Sequence, residues 1–163
     1  MERVSKENYY LDIAQTVAER STCLRRCYGA IIVKDDTIVS TGYNGAPRGR
    51  KNCSDLGYCM REKLQIPRGE RYEMCRSLHS EANAIIAAAR ERMLGATLYL
   101  CGRNLPDMEY VQNPSCCSMC KRMVINAGIE KVIVRINDTE YKIIDVQDEW
   151  VDADASLEIE GGY

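Results

Sequence analysis

The sequence predicts a three-layer α/β arrangement. Two observations carry that expectation. An amphipathic helix leads into a β-hairpin, and strand-like runs alternate with helical segments through the second half.

Tyr10, Ala14, Val17 and Ala18 recur at helical spacing and make one apolar face of the first helix. Gly29 to Val33 and Thr37 to Thr41 then flank Lys34-Asp35-Asp36, two β-rich runs around a polar turn that read as a hairpin. From Gly42 to about Glu73 the chain reads as a loop, with Pro47, Pro67, several Gly and many charges. A loop of that length in a compact domain is usually functional or tied down. His79 to about Met93 is Ala-rich and predicts a helix, with Gly95 placed to stop it. Ala96 to Cys101 reads as a buried strand and Asn104 to Asn113 as a polar loop. Ser115 to Ala127 predicts another helix, with Ser115 as N-cap and Gly128 as its stop. Ile129 to Ile136 contains a strand, and Lys142 to Val146 a further one. The tail ends acidic at Glu158 and Glu160 and is expected to be mobile near Tyr163.

At 163 residues the chain is the size of one domain, 1–163, with a sizeable core. It carries 22 basic against 24 acidic residues, net −2, so no global charge points to nucleic acid or a membrane surface. A small, locally guided substrate fits better. The longest apolar run, Ala84 to Ala89, is too short to span a bilayer. The N-terminal segment is charged and lacks the apolar core of a secretory leader, so a cytoplasmic location is expected. Nine cysteines, an odd number with nothing pointing to export, read as metal ligands rather than a disulfide framework.

The only histidine lies in His79-Ser80-Glu81, and Cys117-Ser118-Met119-Cys120 follows. Both segments fall at predicted helix starts. The i, i+3 spacing turns Cys117 and Cys120 to one side of a first turn, where the helix dipole favours thiolate. Two thiolates and an imidazole give three ligands for Zn²⁺ and leave one position for a water, whose pKa falls toward ~7. A purely structural zinc site would need a fourth protein ligand and would have no use for Glu81. That carboxylate is placed to take a proton from the water and return it to a substrate, as hydrolysis of an amino-bearing pyrimidine or purine requires.

The HSE segment followed by the cysteine pair resembles the cytidine and deoxycytidylate deaminase superfamily, whose signature is H-x-E…P-C-x-x-C. One departure stands out: Cys116 occupies the Pro position. Cys116 could replace Cys117 as ligand. Cys117 is preferred for its spacing to Cys120 and because Cys120 to Ile129 continues as the family does. The resemblance is closer still to the deoxycytidylate deaminase branch. Arg20 to Cys23, Tyr28 to Val33, Thr41 to Gly49 and Cys75 to Ile85 carry it, in order, within about residues 10 to 136.

That resemblance implies a mixed five-stranded sheet sandwiched by helices and hydrolysis of dCMP to dUMP and ammonia, feeding thymidylate synthesis. It also implies a homo-oligomer, a hexamer being favoured, with dCTP as activator and dTTP as inhibitor. Thr41 to Gly45 would line the nucleotide pocket, with Asn44 bonding sugar or base. Arg25, Arg26 and Arg48 are the nearest candidates for the phosphate, and Ser80 in the motif itself is counted with the substrate-binding residues. Cys23, Cys53, Cys59 and Cys75 lie where related proteins carry a second, structural zinc that would pin the long loop, with Cys27 as a competing ligand. Cys101 is assigned to the core. The alternatives are a deaminase of dCTP, cytidine or a base within RNA, the last disfavoured by the charge, and a zinc-stabilised protein without turnover.

Overall fold

The hairpin forms as its alternation predicts. In the computed structural model, which describes residues 1–158, strand β1 (Arg26–Lys34) pairs antiparallel with β2 (Thr37–Tyr43). Asp35 and Asp36 make the two-residue turn, with φ of 51° and 57°. Positive φ at both central positions matches the right-handed twist of the flanking strands, and Asp tolerates it. Preceding the hairpin is helix α1 (Lys6–Ala18), capped by Ser5, whose Oγ accepts the Asn8 N–H at 3.2 Å.

The long connection after β2 is not structureless. It holds the short helices α2 (Cys53–Leu56) and α3 (Met60–Lys63) and a 3₁₀ turn at Tyr72–Met74. Cys53 opens α2 and Cys59 caps α3, and both are buried.

The Ala-rich segment departs from expectation. One helix over 79–93 is replaced by α4 (Ser80–Ile86) and α5 (Arg90–Met93), with an extended Ala89 between them. Propensity loses to a tertiary bond: the Ser40 hydroxyl donates to the Ala84 carbonyl at 2.7 Å, and the Ala88 N–H turns to Ile85 instead. Strand β3 (Thr97–Asn104) follows, then α6 (Ser118–Ala127), β4 (Lys131–Arg135) and β5 (Tyr141–Asp145). Helix α6 starts later than expected because Cys117, not Ser115, caps it; the Cys117 thiol accepts the Cys120 N–H at 3.4 Å. Gly128 ends it in the left-handed region at φ 80°.

The sheet order is β2-β1-β3-β4-β5, with β3 and β4 parallel and every other pair antiparallel. This is the mixed five-stranded sheet expected. Its central strands are buried on both faces, so their sequences are near-continuous apolar runs. Ile31, Val33, Tyr99 and Ile133 face α1; Ala30, Ile32, Leu98, Leu100, Val132 and Val134 face the side of α4 and α6. Helices therefore cover both faces, and α4 and α6 lie side by side on one of them. Among the described residues no helix is long and apolar enough to cross a membrane. The mobility expected around Glu160 and Tyr163 concerns positions outside the described residues; Glu158 is exposed at the end of a 3₁₀ turn.

Candidate active site

Two helix starts converge. His79 is the N-cap of α4 and Cys117 the N-cap of α6, both in extended backbone. Ahead of His79, Leu78 pairs with Gly45 through two backbone hydrogen bonds of 2.8 and 3.2 Å, which ties the motif to the end of β2. The His79 Nδ1 lies 3.4 Å from the Cys117 Sγ and 3.5 Å from the Cys120 Sγ. All three donor atoms fall within 4.8 Å of one another, the one such group among the described residues. For tetrahedral Zn²⁺, with Zn–S of ~2.3 Å and Zn–N of ~2.0 Å, the N···S edge is about 3.5 Å. The donors fit zinc in kind and in spacing.

Their electrostatics are those of ligands sharing protons. The hydrogen bond from Cys120, joined by one from His79, outweighs burial and pulls the Cys117 thiol down to about 4. The same bond and burial push Cys120 up. Burial opposes the charged imidazole, yet hydrogen bonds to Cys117 and Cys75 and the charge of Glu81 lift His79 to about 10. A divalent cation taking the place of those protons would release them.

Glu81, in the first turn of α4, is only 5% exposed, and Ser80 is fully buried. The Ser80 hydroxyl donates to Glu81 Oε2 at 3.0 Å. Ser80 is thus engaged with the carboxylate. Cys116 is buried, and burial first and the charge of Glu81 second raise its thiol well above the ordinary value. The position where the family pattern has Pro is not among the three converging donors, and Cys117 takes the place beside the histidine.

These groups open into a cavity of about 320 Å³, the size of a small-molecule site. Its wall includes Tyr28, Asn44, Arg25, Arg26 and Tyr72 beside the donor group. Asn44 is held to β1: its Oδ1 accepts the Tyr28 N–H at 2.8 Å and its Nδ2 donates to the Arg26 carbonyl at 2.9 Å. Arg25 pairs with Glu62 at 3.1 Å, and Arg26 Nε donates to Asn104 Oδ1 at 3.0 Å. Arg48 is exposed in the turn after β2 and does not reach the cavity wall. Tyr28, which opens one of the family-like segments, reaches it, and so do Arg61, Arg68 and Tyr72, which no sequence pattern singled out; their one signal was membership of the long loop.

Cys23, Cys59 and Cys75 line the same cavity, and Cys53 interacts with all three: burial raises its thiol, and each of them adds to the rise. No three of the four bring their sulfurs within 4.8 Å among the described residues. Cys101 and Cys27 are buried against the sheet, the former as expected for core.

Fold and donor set together define an α/β/α metal-binding protein with a buried carboxylate beside the metal ligands. The chain belongs to the cytidine and deoxycytidylate deaminase family: residues 4–136 match its zinc-binding region. It is 36% identical over 138 residues to a deoxycytidylate deaminase of Mycobacterium phage D29, covering 82% of this chain and 96% of that one. Against the deoxycytidylate deaminase of Schizosaccharomyces pombe it is 32% identical over 132 residues, 80% of this chain but 37% of the yeast protein. For the Saccharomyces cerevisiae deoxycytidylate deaminase the figures are 31% identity over 148 residues, 87% and 42%. The chain thus spans well under half the length of the two yeast relatives. Among solved structures, dCMP deaminase from the cyanophage S-TIM5 in complex with dCMP and dUMP superposes with a TM-score of 0.56 at 25% identity, over 83% of this chain and 84% of that one.

Proposed function

We propose that this protein hydrolyses dCMP to dUMP and ammonia, supplying dUMP for thymidylate synthesis, and that residues 1–163 act as one deaminase domain. The observation that carries the reading is the buried Glu81 beside a His79–Cys117–Cys120 group of zinc spacing, in a cavity with arginines on its wall. The near full-length likeness to the phage deaminase and the fold shared with the dCMP- and dUMP-bound one support it.

His79, Cys117 and Cys120 would hold the catalytic Zn²⁺. When bound, zinc supplies a water that is deprotonated near neutral pH. Glu81 moves the protons: it accepts one from water, delivers it to the ring nitrogen next to the amino-bearing carbon, and passes a second to the amino group as it leaves. Water and dCMP give dUMP and ammonia, with nothing oxidised. The Ser80 hydroxyl donates to Oε2 and so holds the carboxylate in place. Asn44 shapes the pocket by holding β1 against the end of β2, with one lone pair and one N–H left for sugar or base.

Arginines on the cavity wall favour a nucleotide over a nucleoside. Arg26 is the candidate for the phosphate. Arg25 already faces Glu62, and Arg48 lies outside the wall. Arg26→Ala is expected to raise the dCMP KM by about 10–100-fold, the loss of ~1.5–3 kcal/mol for a charged hydrogen bond. Turnover of deoxycytidine should not change; an equal loss on both substrates would refute the assignment. The direct test of the function is the ultraviolet change on mixing protein with dCMP. A fast change with dCMP that cytidine does not give supports the reading. No change with zinc-loaded protein, with dCTP present, would remove it.

A second, structural zinc on Cys23, Cys53, Cys59 and Cys75 is carried as a proposal, supported by their common cavity and by the interaction of Cys53 with the other three. It requires the sulfurs to draw in to tetrahedral spacing. Two zinc per chain, falling to one in Cys53→Ser with a lower Tm, is the expected result. One zinc in both proteins would strike the second site out. A cytoplasmic, homo-oligomeric enzyme, hexameric and answering to dCTP and dTTP, completes the proposal. Exposed Ile38, Tyr43 and Ile86 around β2 and α4 offer apolar surface for self-association, and sedimentation with and without dCTP tests it.

A further inference from the structure

We propose that Arg61 is a positioning residue that holds residues 67–72 as a fixed wall of the cavity and, through Tyr72, sets the ring of His79. The proposal rests on the reading of the cavity as a deaminase site.

Arg61 is 3% exposed, on α3, in a segment otherwise rich in exposed charge. A buried guanidinium ordinarily has a carboxylate beside it. Among the described residues Arg61 makes no ion pair with one. It bonds three carbonyls instead: Nη2 donates to Pro67 at 2.7 Å, and Nη1 donates to Arg71 at 2.9 Å and to Glu70. Such a fork closes the segment from α3 to residue 71 into a ring. It also over-determines Arg71, a non-glycine residue at φ 47°, where backbone strain persists only if neighbours enforce it.

The same guanidinium lies 4.5 Å from the centre of the Tyr72 ring. That ring in turn meets His79 edge-on, with centroids 4.9 Å apart and planes at 80°. The order is therefore Arg61, Tyr72, His79, three side chains in contact. Turn 72–74 ends with the Cys75 N–H on the Tyr72 carbonyl at 3.0 Å, so the backbone that carries Tyr72 is itself closed into a turn. An imidazole that binds metal through Nδ1 needs its plane fixed by outer contacts, and here those contacts come from the segment that Arg61 clamps. The arrangement offers a physical reason for a buried cation here: carbonyl dipoles neutralise it, and a lysine, with all three donors on one nitrogen, lacks the planar fork that sets Nη2 on Pro67 and Nη1 on Glu70 and Arg71.

The test uses full-length, zinc-loaded protein and the variants Arg61→Gln, Arg61→Lys, Tyr72→Leu and Tyr72→Phe. Three readouts are taken: trypsin cleavage after Arg68 and Arg71, the absorption bands of the cobalt-substituted site, and kcat and KM for dCMP. Arg61→Gln and Arg61→Lys are expected to be cut after Arg68 and Arg71 under conditions where the parent is not, and to raise KM by about tenfold or more with a smaller fall in kcat. Tyr72→Leu is expected to shift the cobalt bands, and Tyr72→Phe, which keeps the ring, to leave them unchanged. An uncleaved segment with parental KM in Arg61→Lys overturns the clamp. Should Arg61→Gln not fold, Arg61→Lys and Tyr72→Leu still decide, and parental bands in Tyr72→Leu overturn the link to His79. Absence of dCMP turnover in the parent would count against the function alone, since cleavage and cobalt bands are read without substrate.

Discussion

Glu81→Gln is expected to keep its zinc and lose nearly all turnover, with kcat down by about 10³–10⁴-fold, the upper range for a positioned general acid–base. The metal stays because Glu81 is not one of the three donors that close within 4.8 Å. The fold stays because the amide has the same shape and its oxygen can still accept the Ser80 hydroxyl, which now reaches Glu81 Oε2 at 3.0 Å. What goes is the ability to take a proton from water and return it to the pyrimidine. An amide cannot do this, and at 5% exposure no bulk water stands ready to substitute. Zinc per chain by elemental analysis and ammonia release from dCMP, measured on the same preparation, check it. More than about a tenth of parental kcat in the zinc-loaded variant would mean that another group carries the proton.

The parts of this site that the sequence makes legible are those whose geometry is local. Cys117 and Cys120 are three residues apart on one helix start, so their convergence follows from the rise of a helix, and His79 opens another. The strands were legible for a similar reason: runs such as Val132-Ile133-Val134 are apolar on both faces because the sheet is covered on both. What escaped the sequence is carried by bonds across long separations to backbone atoms. Ser40 reaches the Ala84 carbonyl across 44 residues and ends a helix whose alanines favoured its continuing. Asn44 reads from the sequence as a pocket residue, and it is one; what the sequence does not show is that the same amide also ties β1 to the end of β2, accepting from the Tyr28 N–H and donating to the Arg26 carbonyl. Arg61 is the extreme case. Its partners are carbonyls, which every residue has, so no residue pattern marks the contact. Among the arginines, Arg48 lies close to β2 in sequence and is exposed off the wall, whereas Arg68, in the middle of the long loop, is on it.

Gly42→Ala is expected to damage stability and catalysis together. Strand β2 passes so close to α4 that a Cβ on Gly42 would sit 2.3 Å from the Ser80 carbonyl oxygen and 2.4 Å from the Ala84 nitrogen. Both are backbone atoms, so no side chain can rotate out of the way. Helix α4 is also pinned to β2 by Ser40 on the Ala84 carbonyl at 2.7 Å and by Asn83 Nδ2 on the Tyr43 carbonyl at 2.8 Å. Relief therefore means moving the helix and stretching those bonds. The cost belongs at the upper end of the overpacking range, about 3 kcal/mol, or a Tm lower by roughly 6–12 °C for a chain of this size. Because the start of α4 carries His79 and Glu81, the same movement displaces the imidazole and the carboxylate, and a shift of about 1 Å can cost ~10²-fold in rate. Gly49→Ala is the control. Its φ is +85° and nothing lies within 4 Å of the added methyl, so only backbone strain of about 1–2 kcal/mol is introduced, in an exposed turn. Calorimetry should show both variants destabilised, while kcat falls only in Gly42→Ala. A Gly42→Ala protein with lowered Tm and parental kcat would mean that α4 can shift on the sheet without disturbing the site, and that its contact with β2 is not what places Glu81.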